Sequence, residues 1–409
     1  DTAKQRNHFG SVANFIGGVT DAGNSTRSQV QLVEFPLTIW VDGVAAFGNT
    51  ILGSSFGLTA DESQPLVNRS DSIVLAGGNG RPADTNNFTR IFGPAIYLTD
   101  APGTLIGNAS GGGNLFGIGG GVTLSGANCY GTICFGNLFG VSRDGNTAWH
   151  RLTFGIAAEN CGPVQIGGLN LGEANRFVTE SASISLANLS GATSRILGNQ
   201  IGHSGTANFA SPDGLVGIGK NNSATEVRGN TFSGYRVSAL TIASGNNIPP
   251  AGIVSVFDNN FIHSRDTTVN TVSIPVAIAS GRGHSIIGNR FTGQADERLI
   301  VLGTSVADKA LPPLANDDFD LDGGANNQQN WPVLATALLT NGQLRVQAGV
   351  DTAPFSGTYT IHVYRCFSDQ WNHGQPQELV ATGSGTTDGT GRAAFLATEL
   401  KNMGIVTAR

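Results

Sequence analysis

Short apolar runs recur along the first three quarters of the chain, and each ends at a polar corner. The corner reads apolar, any residue, Gly or Asp, Asn, any residue, apolar. Clear copies are Ile196-Leu197-Gly198-Asn199-Gln200-Ile201, Val227-Arg228-Gly229-Asn230-Thr231-Phe232, Val256-Phe257-Asp258-Asn259-Asn260-Phe261 and Ile286-Ile287-Gly288-Asn289-Arg290-Phe291. Their Asn residues stand 31, 29 and 30 positions apart. Traced backwards at that step, the ladder passes through Gly168, Asn137, Asn108, Asn79, Asn49 and Gly18. Nine of the ten positions follow a Gly, and Asn259 follows Asp258.

A period near thirty residues marks a solenoid, because one repeat is too small to bury its own apolar face and must stack on its neighbours. The runs are too short and too rich in Gly for paired helices, so three short strands per coil are expected. The fold predicted for residues 1–310 is an all-β, right-handed parallel β-helix of about ten coils. The corner Asn should adopt the left-handed conformation and bond through its amide to the coils on either side. Three residues before the ladder lie Leu105, Cys134, Ile196, Val227, Val256 and Ile286, and two residues after it lie Ile51, Phe139, Ile201, Phe232, Phe261 and Phe291. Both sets should point inward. Nine steps of roughly 4.8 Å make a rod of about 43 Å.

The pattern changes after Leu311-Pro312-Pro313. Residues 311–332 read as an acidic linker. Residues 333–409 read as a small β-sandwich, with alternating segments at 344–348, 357–364, 378–382, 393–398 and 404–408, and a hairpin turn at Thr387-Asp388-Gly389-Thr390-Gly391. Gly48-Asn49-Thr50-Ile51-Leu52-Gly53, Gly136-Asn137-Leu138-Phe139-Gly140 and Gly198-Asn199-Gln200-Ile201-Gly202 resemble the repeats of bacterial secreted right-handed β-helix proteins. Ile106-Gly107-Asn108 and Ile166-Gly167-Gly168 look like that family's alternate coil, with a later Asn at Asn114 and Asn175. The resemblance covers roughly residues 10–310. It implies secretion to the bacterial cell surface and, for the terminal segment, an immunoglobulin-like module. It does not imply an activity, since the family mixes adhesins, surface proteins and polysaccharide-active enzymes.

Composition narrows the partners. With net charge −6 and no basic stripe, nucleic acid is not expected as a partner. No apolar run approaches the roughly 20 residues of a membrane helix, so no membrane span is expected. Four Cys are too few for a disulfide scaffold. Asn128-Cys129 and Asn160-Cys161 lie 32 residues apart, about one coil, so these two Cys should be neighbours and are candidates for a disulfide in an oxidising setting. Cys134 belongs to the inward set and should be a buried thiol.

Catalytic patterns are weak. Ser211-Pro212-Asp213-Gly214 and Gly283-His284-Ser285 are faint matches to polygalacturonase motifs, and the second Asp pair such an enzyme needs is missing near 234–241. His203 and His263 share a corner offset, and Arg143, Asp144, Arg236, Arg265, Asp266, Asp296 and Glu297 share another, which reads as a solvated corner of weak ion pairs. No catalytic residue is assigned. Asp318-x-Asp320-x-Asp322-Gly323 has the alternating carboxylates of a calcium loop, without the Glu of an EF-hand, and makes Asp318, Asp320 and Asp322 candidate ligands for a structural Ca²⁺. The expected function is an extracellular structural or surface-assembly protein, a filament or array subunit that associates with itself. Uncapped coil ends and a terminal strand that stops short would template such association. A polysaccharide-degrading enzyme or a glycan-binding adhesin, with polysaccharide as partner, is the alternative.

Overall fold

The computed structural model describes residues 8–9, 39–58, 62–65, 94–110, 113–149, 152–202, 215–220, 223–235, 237–243, 252–262, 274–292, 299–303, 317–318, 324–328, 333–340, 343–352, 357–368, 374–390 and 392–398. Up to residue 303 they form three parallel sheets of nine, eight and nine strands. The chain visits them in a fixed cycle. Ile184–Ala187 lies in the first sheet, Ser194–Leu197 in the second and Gln200–Ile201 in the third, and the next coil then begins in the first sheet at Val216–Ile218. This is a parallel β-helix, as the repeat predicts.

Eight coils place one strand in each sheet: residues 39–56, 94–116, 119–139, 152–177, 184–201, 216–233, 238–262 and 274–292. His8–Phe9 extends the third sheet before them, and Ile300–Leu302 extends the first sheet after them. The sequence predicts about ten coils, and the difference arises early. Thr50–Ile51 pairs directly with Leu105–Ile106, and Ser55–Phe56 pairs with Leu115–Phe116. No rung therefore stands between the coils at 39–56 and 94–116. Asn79 and Gly18 lie outside the described residues.

Parallel stacking puts like residues over like. The second sheet sends Ile51, Ile106, Cys134, Ile166, Ile196, Val227 and Val256 inward. The inward residue of the second coil is thus Ile106, not Leu105. The third sheet sends in Phe56, Phe116, Phe139 and Phe177, whose rings stack at 4.8, 4.5 and 4.6 Å. Ile201 interrupts the column, which resumes with Phe232, Phe261 and Phe291 at 4.8 and 5.1 Å. Offset of these near-parallel rings over one coil rise adds about 0.5–1.5 kcal/mol per pair beyond area burial.

Among the described residues the C-terminal module holds five antiparallel strands. Val333–Thr340, Gln343–Asp351 and Arg392–Thr398 form one sheet, and Thr358–Ser368 pairs with Gly374–Thr386 in another. Val346, Ala348 and Val350 of the first sheet pack on Tyr359, Ile361 and Val363 of the second, so the two sheets share a small core. The segment 387–391 is not a hairpin turn, because the strands it joins belong to different sheets. It is a crossing, in which Asp388 Oδ1 accepts from Thr390 N at 2.7 Å.

Candidate functional site

The polar feature that dominates the interior is a ladder of seven asparagines: Asn114, Asn137, Asn175, Asn199, Asn230, Asn259 and Asn289. Asn230 shows the repeating geometry. Its Oδ1 accepts from Asn199 N at 2.9 Å and Asn199 Nδ2 at 3.0 Å. Its Nδ2 donates to Ile196 O at 2.8 Å and to Asn259 Oδ1 at 3.0 Å. All seven side chains are buried, and each amide is satisfied by the coil before or after it.

The ladder differs from the expected one at its N-terminal half. Asn108 sits in a loop, where its Oδ1 accepts from Ser110 N at 2.9 Å, and Asn114 takes its rung. Gly168 lies in a second such loop, and Asn175 takes its rung. Asn49 lies one corner early and donates to Ala46 O, while Ser54 occupies the rung by donating its N–H to Asn114 Oδ1 at 2.9 Å. The left-handed residue is also not the Asn. It is the one before it: Gly136, Gly198, Gly229, Asp258 and Gly288 have φ between 57° and 66°. Gly136 has a second reason to be Gly. The turn at 107–110 and the 167–174 loop close over it, and a Cβ there would meet Asn108 O at 2.4 Å and Gly172 O at 2.8 Å. The upper loop is fixed by Asn170 N and Nδ2 donating to Glu173, and it presents Leu171 fully exposed.

Cys129 and Cys161 occupy equivalent buried positions on adjacent coils, each three residues before a paired strand start. The two are free thiols, not a disulfide. Cys129 Sγ turns toward the preceding coil, against Ala101 O at 3.7 Å and Leu98 O at 3.9 Å, away from Cys161. Burial pushes the Cys134 and Cys161 thiols up to about 12, with a smaller push from Cys129.

On the outside, Arg143 does not stand as a solvated corner charge. Its Nη2 donates to Glu62 Oε1 at 3.0 Å and its Nε pairs with Oε2, while Ser55 Oγ donates to Oε1. Glu62 is held at φ 57° with its carboxylate nearly buried. The pair ties two small hairpins, closed by the Leu58–Pro65 and Val141–Ala148 bridges, across the outer face of the third sheet. Asp144 is exposed, and hydrogen bonds from Ser142 and Asn146 hold its carboxyl below the usual range. Arg236, Arg265, Asp266, Asp296, Glu297, His203, His263 and the 211–214 segment lie outside the described residues. So do Asp320 and Asp322, which leaves only Asp318 of the calcium candidates described, in an exposed turn. Among the described residues no three His, Cys, Asp or Glu side chains are grouped to hold a metal, and no helix is long and apolar enough to cross a membrane.

His284 points inward. It is buried within the last full coil, where its Nδ1 accepts from Val254 N of the preceding coil at 3.1 Å. Its own N–H donates to Asn326 Oδ1 at 2.9 Å, and Asn326 N donates to Gly281 O at 2.6 Å. Asn326 belongs to the 3-10 turn Ala325–Gln328, whose Ala325 is buried in the main core. Tyr364 of the terminal module accepts from Gly288 N at 2.9 Å. The C-terminal end of the solenoid is thus covered by the chain itself.

Among the described residues, the turn between the first two strands of the first coil carries Phe47 at 74% and Val44 at 58% exposure. These features define a three-sheet parallel β-helix whose C-terminal end is plugged by a small antiparallel module. No protein-family model, no curated protein and no solved structure matches the chain.

Proposed function

We propose that this protein is an extracellular structural protein of a bacterial surface whose copies associate into a filament or array. The observation that carries the reading is the 43–48 turn of the first coil, where Val44 and Phe47, three residues apart, are both exposed. Apolar side chains clustered on a surface favour a partner that removes them from water. A second surface supports the same reading. The edge strand Val333–Thr340, VLATALLT, has no charge and no Pro, and among the described residues it pairs only with Gln343–Asp351. Such an edge accepts an added strand. Charged residues make up only 13% of the chain, so close-packed copies repel weakly. In this proposal the terminal module is immunoglobulin-like, and Asp318, Asp320 and Asp322 bind Ca²⁺ to stiffen the joint between the two domains.

Electron microscopy of the native material tests the reading. Filaments or ordered arrays support it, and isolated rods at high concentration overturn it. Glycan binding is a second reading, favoured by the outer face of the first sheet. There Thr123, Ala157, Ser185, Gly217, Thr241 and Ala277 stand in register, small and uncharged, along a flat floor suited to an extended neutral polysaccharide. A monodisperse protein that binds such a chain would establish it in place of the first.

A further inference from the structure

We propose that two copies of this chain pack face to face, as antiparallel rods, through the outer face of the second sheet over the first four coils. The inference rests on the self-association proposed above and names the surface that carries it. That surface starts at the corner between the first and second sheets. Gly48, Gly103 and Gly131 there take φ between 66° and 69°, and they donate their N–H to Pro102, Tyr130 and Pro163 O of the following coil. Phe47, Pro102, Tyr130 and Pro163 therefore stand one above another along the corner. The ridge is uneven. Phe47 and Tyr130 protrude, 74% and 51% exposed, whereas Pro102 is buried and Pro163 half-buried. A Cβ on Gly162 would collide with Tyr130 Cβ, so Gly at that position lets the tyrosine lie against the next coil. Beside the ridge, Leu105 and Ile133 pair in register on the outward side of the second sheet, and both are partly exposed. Leu52, just past the strand Thr50–Ile51, adds another exposed apolar side chain.

Charge begins where the apolar surface ends. The outward column runs through Thr50, Leu105, Ile133 and Gln165, and then becomes Arg195 and Glu226, which pair at 3.4 Å. Arg228 and Asp258 pair at 3.4 Å further along. This division selects both the partner and its direction. Parallel copies would set like charges opposite one another on the same rungs. Antiparallel copies that overlap at the first four coils bring only uncharged rungs together and send the charged rungs outward in opposite directions. A two-fold axis between the second and third coils then sets Tyr130 opposite the partner's Pro102, Phe47 opposite the partner's Pro163 and Leu105 opposite the partner's Ile133. Each protruding aromatic meets a low proline, as a self-complementary contact requires. A second copy also matches the coil spacing of about 4.8 Å rung for rung, which a fluid lipid surface does not. Removing these side chains from water drives the contact.

Sedimentation velocity on the whole chain reads the contact. Ile133→Asp and Tyr130→Asp should each raise the dissociation constant of the pair at least about tenfold, with the circular dichroism spectrum unchanged. Arg195→Gln, on the charged rungs of the same sheet, should not weaken it. If Ile133→Asp does not fold, Tyr130→Asp, on an exposed corner, decides alone. A nitroxide on Arg282→Cys in a Cys366→Ser background reads the direction, because Arg282 is exposed at the same corner of the last full coil. In the antiparallel pair about eleven rungs, roughly 53 Å along the rod, separate the two labels. Pulsed dipolar spectroscopy should give a distance near that value. A parallel pair sets both labels on one rung, at less than half that distance, and overturns the arrangement. Association that Leu338→Lys weakens, and that neither face variant changes, overturns this face alone and leaves the association itself standing. A native chain that stays monomeric overturns both, and if that monomer floats with phosphatidylcholine vesicles unless Tyr130→Asp is present, the face belongs to lipid instead.

Discussion

Replacing Asn230 with Val tests the ladder at its most regular stretch. The substitution removes an amide that lies wholly inside the solenoid and leaves its partners in place. Asn199 loses the acceptor of both its backbone N–H and one Nδ2 hydrogen, while Ile196 O loses its side-chain donor and keeps its place in the strand ladder. Asn259 Oδ1 keeps the Asn230 backbone N–H, so its loss is partial. Each buried group left without a partner costs about 1–3 kcal/mol. The two orphaned Asn199 donors, less some relaxation and the gain from burying two methyls, come to about 3 kcal/mol. Thr231 is the control, one residue on, facing outward on the third sheet and half-exposed. Thr231→Val should cost less than about 1 kcal/mol. Guanidinium unfolding followed by far-UV circular dichroism reads both, with the midpoint as the measure, since a solenoid need not unfold in one step. A clear midpoint drop for Asn230→Val alone is expected. Equal midpoints for the two variants would refute the claim that the amide ladder holds adjacent coils.

Gly136→Ala should destabilise by more than about 2 kcal/mol, because its Cβ would strike the Asn108 carbonyl at φ 63°, whereas Gly217→Ala, with open space at the same atom, should be neutral or slightly stabilising in the same assay. Cys129, Cys134 and Cys161 should resist alkylation in the native chain and react once it is unfolded. Because the folded thiols of Cys134 and Cys161 ionise near 12 and the unfolded ones near 9.0, stability should fall as pH rises through that window, and a flat dependence would contradict their burial. Arg143→Met should leave the Glu62 carboxylate nearly buried beside Ser55 without its cation and cost about 2 kcal/mol, between the exposed and buried limits for an ion pair. An unchanged melting temperature would show that the two hairpins are not tied there.

Reading the chain without coordinates locates the ladder well from Asn199 to Asn289, where every coil runs 29 to 31 residues with one Gly or Asp before the Asn. It misplaces the earlier rungs for a definite reason. The true steps from Asn114 to Asn137 and from Asn137 to Asn175 are 23 and 38 residues, and together they span two ordinary periods. A search at constant spacing therefore lands in the two extruded loops, on Asn108 and Gly168. The alternate-coil signature, with its later Asn114 and Asn175, was the signal that marked the real rungs. Adjacency of Cys129 and Cys161 was legible because one coil separates them, but the direction of a thiol was not. Glu62 and Arg143 stand 81 positions apart and outside the repeat, so no periodicity links them. His284 reads as a poor catalytic motif in one dimension. Only the stacking of Val254 beneath it and Asn326 above it reveals its part in closing the end.

Association of copies through the first-coil turn and the open module edge is the central claim, and sedimentation velocity of the chain from dilute to the highest attainable concentration tests it most directly. The native protein should shift to larger species with concentration. Phe47→Asp and Leu338→Lys, which charge an exposed turn residue and an exposed edge residue, should each reduce the shift while the circular dichroism spectrum stays the same. A native protein that sediments as a monomer throughout, or whose association is untouched by both substitutions, would contradict it.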